Sequence, residues 1–248
     1  MIKSAMAALA AGVMLLAACS ESKDGITADT ALTAVTDDST IYGLACDGSN
    51  DTTVVFLRMP YRGGDPDTLY ILEASARHMV YGDIRIGDRL AIVRNAEDTT
   101  KADVVIVTQD LLGQWCYKVK PTLKRRADTE GQTEEQVISQ LPDSIAQLLG
   151  VELEYGMHLK IDSVATPIGL MGRQMTAGED GLVEFPRLKM YRNWCIHNGH
   201  ILLTETQVDS TGNAMPVATD TARLVMLTPD TMVLSISGKE QGYYRKRN

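Results

Sequence analysis

Cys195, His197 and His200 flank the dipeptide Asn198-Gly199. An Asn-Gly pair between two apolar alternations is a strong cue for a two-residue hairpin turn of type I′. Such a turn sets His197 opposite His200, and Cys195, two residues earlier, falls on the same face. One thiol and two imidazoles on one face are ligands for zinc or copper, but a structural site needs a fourth donor and none is identified. The competing reading is a solvated hairpin tip whose other face, Trp194, Ile196, Ile201 and Leu203, enters the core. No metal is expected, with Cys195, His197 and His200 as the one alternative, and no cofactor. The sequence carries no Gly-X-Ser-X-Gly elbow, no His-Glu-X-X-His and no phosphate loop. Ser20-Glu21-Ser22-Lys23 has Ser-X-X-Lys spacing but lies in a polar stretch unable to hold a catalytic geometry. The chain is expected not to be an enzyme.

Cys19 carries a different chemistry. Met1-Ile2-Lys3-Ser4 is a short positive start, Ala5 to Ala17 is uncharged and apolar, and Leu16-Ala17-Ala18-Cys19 closes the run. The run is too short to span a bilayer comfortably and has the flanks of a secretory signal. Its last four residues resemble the lipobox of bacterial lipoproteins. The resemblance implies a signal peptide over residues 1–18, cleavage after Ala18, and acylation of the Cys19 thiol and new amino terminus by palmitate-type chains. Residues 19–37, rich in Ser, Thr, Ala and Asp, read as a flexible lipidated tether. Ser20 stands where enterobacterial inner-membrane lipoproteins carry Asp, so the resemblance favours the outer membrane, facing the periplasm or the cell surface. The membrane, reached through lipid, is then the first expected partner.

Net charge is −8, and residues 38–110 hold 12 acidic against 7 basic side chains. An acidic first half argues against nucleic acid as a partner, because binding there needs a positive footprint that displaces counterions. Cys46, Cys116 and Cys195 remain beside Cys19, an odd number that permits at most one intramolecular disulfide, and spacing does not say which. Three packed thiols are the simpler reading.

The apolar period is mostly two. Ile41 to Cys46, Thr53 to Met59, Leu69 to Leu72, Arg89 to Val93 and Val104 to Val107 predict five short strands in residues 38–110. Strands so short in so small a unit avoid open edges by curling into a barrel. Their number and spacing resemble an OB-fold, which implies a small OB-like domain over 38–110.

The second unit, 111–248, opens with Leu112-Gly113-Gln114-Trp115. Lys118 to Arg126 is the densest basic run in the chain. Thr133-Glu134-Glu135-Gln136 has the form of a capping box, and Val137, Leu141, Ile145 and Leu148 share one helical face. Pro142 divides residues 133–149 into two short helices, and Gly150 stops the second. Met157 to Asp162, Leu188 to Ile196, His200 to Val208, Thr221 to Leu227, Met232 to Ser237 and Tyr243 to Arg245 read as strands of an up-and-down meander.

Gly113-Gln114-Trp115 matches the Gly-X-Trp opening of lipocalins. With Leu182-Val183-Glu184-Phe185, Tyr191-Arg192-Asn193-Trp194, the Asn-Gly hairpin, Thr231-Met232-Val233-Leu234 and Tyr243-Tyr244-Arg245, the second unit resembles the lipocalin-like lipoproteins of Bacteroides and relatives. The resemblance covers about half the chain, which departs from the plain pattern over residues 121–155. It implies an all-β protein in which a small OB-like barrel precedes a lipocalin-like barrel with a short helical insertion. It also implies that the Gly-X-Trp indole is covered by a basic side chain from the last strand, Arg245 first and Arg247 second.

The expected function is binding of a small, partly apolar molecule in the second barrel. The helices would lie across the mouth with Val137, Leu141, Ile145 and Leu148 inward, Trp115 and Trp194 would line the interior, and the Lys118 to Arg126 run would orient an anionic head. The alternative is a structural, protein-interaction or envelope-maintenance lipoprotein with filled barrels and an envelope protein as partner.

Overall fold

The computed structural model describes residues 38–123, 131, 133–169, 176–177, 183–208 and 214–247. Cys19, the tether and Lys124 to Arg126 lie outside these. Among the described residues no helix is long and apolar enough to cross a membrane.

Turn clusters divide the first half into short strands. β1 (Thr40–Ala45), β2 (Thr53–Arg58) and β3 (Asp67–Tyr70) form an antiparallel meander. A short helix, α1 (Leu72–Ala76), follows, then β4 (Val80–Tyr81), β5 (Arg89–Arg94), β6 (Ala102–Val107) and a single helical turn, α2 (Thr108–Leu111). β5 returns to β1 with Ile41 opposite Ile92, which gives the order β3-β2-β1-β5-β6-β4. A parallel bridge from Tyr70 to Lys101 draws the β3 side toward the start of β6, so the sheet curls around Val54, Phe56, Leu69, Leu90, Ile92 and Val105. Leu72 belongs to α1 and not to the strand expected to end there. The helix tucks Ala74, fully buried, against the neighbouring apolar side chains. β4, a two-residue strand parallel to β6, has no periodic signal of its own.

β6 is buried on both faces. Val105 and Val107 point into the first cluster, while Val104 and Ile106 point into a second cluster shared with the other half of the chain. Burial on both sides explains why Val104-Val105-Ile106-Val107 is continuously apolar instead of alternating.

The second half is built from β7 (Gly113–Val119), β9 (Leu153–Leu159), β10 (Ala165–Ile168), β13 (Tyr191–His197), β14 (His200–Val208), β15 (Ala214–Leu227), β16 (Thr231–Ile236) and β17 (Lys239–Lys246). They form one antiparallel sheet of order β10-β9-β7-β17-β16-β15-β14-β13. Its edges meet where Trp194 donates its backbone N–H to the Ser163 carbonyl at 2.9 Å, beside an antiparallel bridge between Val164 and Asn193. The result is a nearly closed eight-stranded antiparallel barrel in an all-β protein. Asn198 and Gly199 both have positive φ, 47° and 74°, as a type I′ turn requires.

Between β7 and β9 lie β8 (Thr122–Leu123), α3 (Glu134–Ser139) and α4 (Asp143–Leu149). The Thr133 hydroxyl accepts from the Gln136 amide while the Gln136 side chain accepts from the Thr133 amide, so the capping box is complete. Pro142 separates the two helices. β11 (Thr176–Ala177) and β12 (Val183–Glu184) join β8 in a small third sheet.

The two strand systems share a core. Tyr81, Ala91, Val104, Ile106 and Leu111 cluster with Trp115, Trp194, Ile196, Ile201 and Met232 of the barrel. β1 is also tied to the β13–β14 turn: the Tyr42 hydroxyl donates to the Ile196 carbonyl at 2.8 Å, and the Asn198 amide donates to the Thr40 hydroxyl at 2.9 Å. The smaller system therefore lies against the end of the barrel marked by Trp115 and the Asn198-Gly199 turn.

Candidate functional site

Residues two apart on a strand share a face. On β17 this rule produces an inward ladder of Arg245, Tyr243, Gln241 and Lys239, running from one end of the barrel to the other.

At the Trp115 end the barrel is sealed. Trp115 is fully buried and its indole N–H donates to the Leu111 carbonyl at 2.7 Å. The Arg245 guanidinium lies over the ring, 4.2 Å from its centroid. Its three nitrogens donate to the carbonyls of Pro229 at 2.5 Å, Leu112 at 2.5 Å and Asp110 at 2.6 Å. A single fork thus stitches the β15–β16 turn to the segment entering β7. Gly113 makes this possible, because a Cβ there would sit 2.5 Å from the Arg245 Nη1, and its φ of +128° disfavours any side chain. Arg247 points elsewhere and pairs with Asp230 at 2.5 Å.

Above this floor Leu159, Ile201, Leu203, Leu224, Met232 and Leu234, all at most 1% exposed, fill the interior. The filling stops at the level of Met157 and Tyr243. There a cavity of about 420 Å³ opens toward the far end of the barrel. Its apolar wall is Tyr117, Met157, Leu188, Tyr191, Ile236 and Tyr243. Tyr117 stands edge-to-face with Tyr243 at 5.3 Å and with Tyr155 at 6.3 Å, the offset arrangement aromatic quadrupoles favour. Burial raises the phenol pKa values of Tyr117 and Tyr243, so both rings stay neutral in ordinary buffers. The rim is Arg187, Lys189, Ser237, Lys239 and Gln241.

Tyr191 donates its phenol to the Asp220 carboxylate, which also holds the Lys189 ammonium at 2.5 Å. Burial opposes ionisation of Asp220. The Lys189 and Tyr191 hydrogen bonds outweigh it and hold the carboxyl below the usual range. Burial first, and then the Asp220 bond, push the Tyr191 phenol far up.

Several expected site residues sit elsewhere. Val137 and Leu141 are half-buried and do not line the cavity, and the side chains of Ile145 and Leu148 lie outside the described residues. Helical periodicity identified an apolar face but not what it covers. Trp115 lies in the sealed floor and not in the open part of the barrel. Trp194 donates its indole N–H to the Lys160 carbonyl and borders a separate groove of about 350 Å³ between the two strand systems, beside Tyr42, Leu90, Leu112 and Ile161. Lys118 and Lys120 both pair with Glu152, at 3.0 and 3.3 Å, and neither lines the cavity. The cavity cations come instead from Arg187 and Lys189 on the approach to β13 and from Lys239 at the start of β17. The alternation of Lys239, Gln241, Tyr243 and Arg245 was the one sequence cue that could have placed Lys239.

The hairpin opposes His197 and His200 as expected, yet Cys195, His197 and His200 do not form a site. Among the described residues no three His, Cys, Asp or Glu side chains are placed to hold a metal ion. His197 faces Asp38 at 3.6 Å and the Asn198 amide at 3.2 Å, while His200 turns back to the Asn198 carbonyl at 3.0 Å. Cys46, Cys116 and Cys195 are free thiols, and burial raises that of Cys116 to about 11.

No family model matches the chain, and no curated protein matches it. Among solved structures, a lipocalin-like protein from Bacteroides thetaiotaomicron aligns at 18% identity, over 55% of this chain and 97% of its own, with a TM-score of 0.28.

Proposed function

We propose that this chain is a lipid-anchored lipoprotein of the outer membrane whose lipocalin-like barrel binds a small, partly apolar molecule at its mouth and catalyses no reaction. The observation that carries this is the 420 Å³ tyrosine-walled cavity above a sealed floor. Its volume falls in the range of small-molecule sites, and a few polar groups at the rim of an otherwise apolar wall are the usual composition of such sites. The smaller system is OB-like in this reading: three meandering strands, a helix, then a strand returning to the first. Its acidic surface suits a spacer or protein contact better than nucleic acid. The lipid on Cys19 would hold both units at the periplasmic or outer face of the membrane.

The filled lower barrel favours a second reading, an envelope-maintenance or protein-interaction lipoprotein with no ligand. Titration of non-acylated protein with the uncharged fluorophore N-phenyl-1-naphthylamine separates the two. The carrier reading expects saturable one-to-one binding at micromolar concentration, abolished by Ile236→Trp, which fills the cavity. An absence of saturable binding leaves the filled-barrel reading.

A further inference from the structure

We infer that the natural ligand is a compact anion: a planar or short-chain apolar body bearing one carboxylate, sulfonate or comparable head. This rests on the mouth cavity being the binding site. The protein carries a net charge of −8, yet Arg187, Lys189 and Lys239 line this cavity and, among the described residues, no carboxylate does.

The three cations are not equally engaged. Lys189 is neutralised by Asp220. Arg187 stands 4.0 Å from Glu205, at the outer limit of an ion pair, with three quarters of its side chain exposed. Lys239 has no ion pair among the described residues. The acidic residue next to it, Glu240, falls on the outer face of β17 beside Arg223. Among the described residues, Lys239 thus faces the cavity without an ion pair and Arg187 has only the distant, largely exposed contact with Glu205. A guanidinium holds a carboxylate or sulfonate in two parallel hydrogen bonds, and an ammonium adds a point charge. The neutral phenols of Tyr117 and Tyr243 below offer aromatic contact without a competing negative charge.

Depth sets the size. The cavity ends at Met157 and Tyr243, and beneath them Met232 and Trp115 close the barrel. A ring system or a short chain fits between this floor and the rim of Arg187, Lys189 and Lys239.

The test uses folded Cys19→Ser protein and two probes with nearly the same body. These are 1-anilinonaphthalene-8-sulfonate, which is anionic, and N-phenyl-1-naphthylamine, which is not. The anion should bind about tenfold tighter at low ionic strength, with the difference shrinking as salt screens the exposed cations. The double variant Arg187→Gln/Lys239→Gln should remove that factor, weakening the anion far more than the uncharged probe. Equal affinities, or a double variant that still prefers the anion, would overturn the charge assignment while the cavity reading stood. Saturable binding of neither probe would remove the cavity reading and this inference with it. For size, octanoate and palmitate compete against the anionic probe. Each buried methylene is worth about fourfold in affinity, so eight more buried methylenes would make palmitate far tighter. Near-equal competition is expected, and a large palmitate advantage would overturn the compact-ligand assignment.

Discussion

Arg245 offers the sharpest test of how the barrel is closed. Truncation to Ala removes a cation from above a buried indole, worth about 0.5–2 kcal/mol. It also removes three donors from the carbonyls of Pro229, Leu112 and Asp110. Hydrogen bonds to a charged group contribute about 1.5–3 kcal/mol each when protected. Arg245 is only half-buried, so water replaces much of that, and the expected net loss is about 3 kcal/mol. For a compact unit spanning Asp37–Asn248, each kcal/mol moves Tm by about 2–4 °C, giving a drop of about 6–12 °C. Arg245→Lys keeps a cation near the ring but loses the rigid fork, and should recover less than half of the loss. The assay is thermal unfolding by circular dichroism, run with tryptophan emission, because uncovering Trp115 should red-shift the spectrum. In a double-mutant cycle with Trp115→Leu, the coupling energy should match the cation–π contribution, about 0.5–2 kcal/mol. A Tm within about 2 °C of the parent for Arg245→Ala, with unchanged emission, would refute the idea that this side chain seals the floor.

Other perturbations probe independent features. Gly113→Ala should cost about 1–3 kcal/mol from its strained φ alone, and part of its total loss should disappear in an Arg245→Ala background, where the clash is absent; additive losses would count against the clash. Asp220 has a lowered folded pKa, so its contribution is present above the unfolded value near 3.9 and lost as pH falls through the folded one. Asp220→Asn should therefore lower the unfolding free energy from urea titration at pH 7 by about 1 kcal/mol, and by progressively less as pH falls below the unfolded value; a loss that does not shrink with falling pH would contradict the linkage. Fragments 38–110 and 111–248 should each retain β-structure but melt below the intact chain, because Val104, Ile106 and Leu111 share a cluster with Trp194 and Ile196; fragments as stable as the whole would show that the shared cluster contributes nothing. Cys19→Ser should move the protein from the membrane fraction to the soluble one, and continued sedimentation with membranes would rule out the lipid anchor.

Local signals in the chain were strong wherever the chemistry was local. The Asn198-Gly199 turn, the Thr133/Gln136 capping box, the Pro142 break and the period-two strands of the barrel could all be read directly. Each depends on residues within a few positions of one another, where φ preference and hydrogen-bond reach decide the outcome. The pairing of Arg245 with Trp115 was reachable only through resemblance, since 130 residues separate them. Alternation says which face a residue occupies. It does not say how far along the barrel axis that residue lies, nor what stands opposite. Only the tertiary structure placed Trp115 in the floor, turned Lys118 and Lys120 toward Glu152, and brought Arg187 and Lys239 to one cavity from two unrelated connections. It also buried both faces of β6 by setting the smaller sheet against the barrel end. The physical reason is the same in each case. Register, strand order and the meeting of distant connections follow from closing one sheet around a filled core, and that closure is a property of the whole chain.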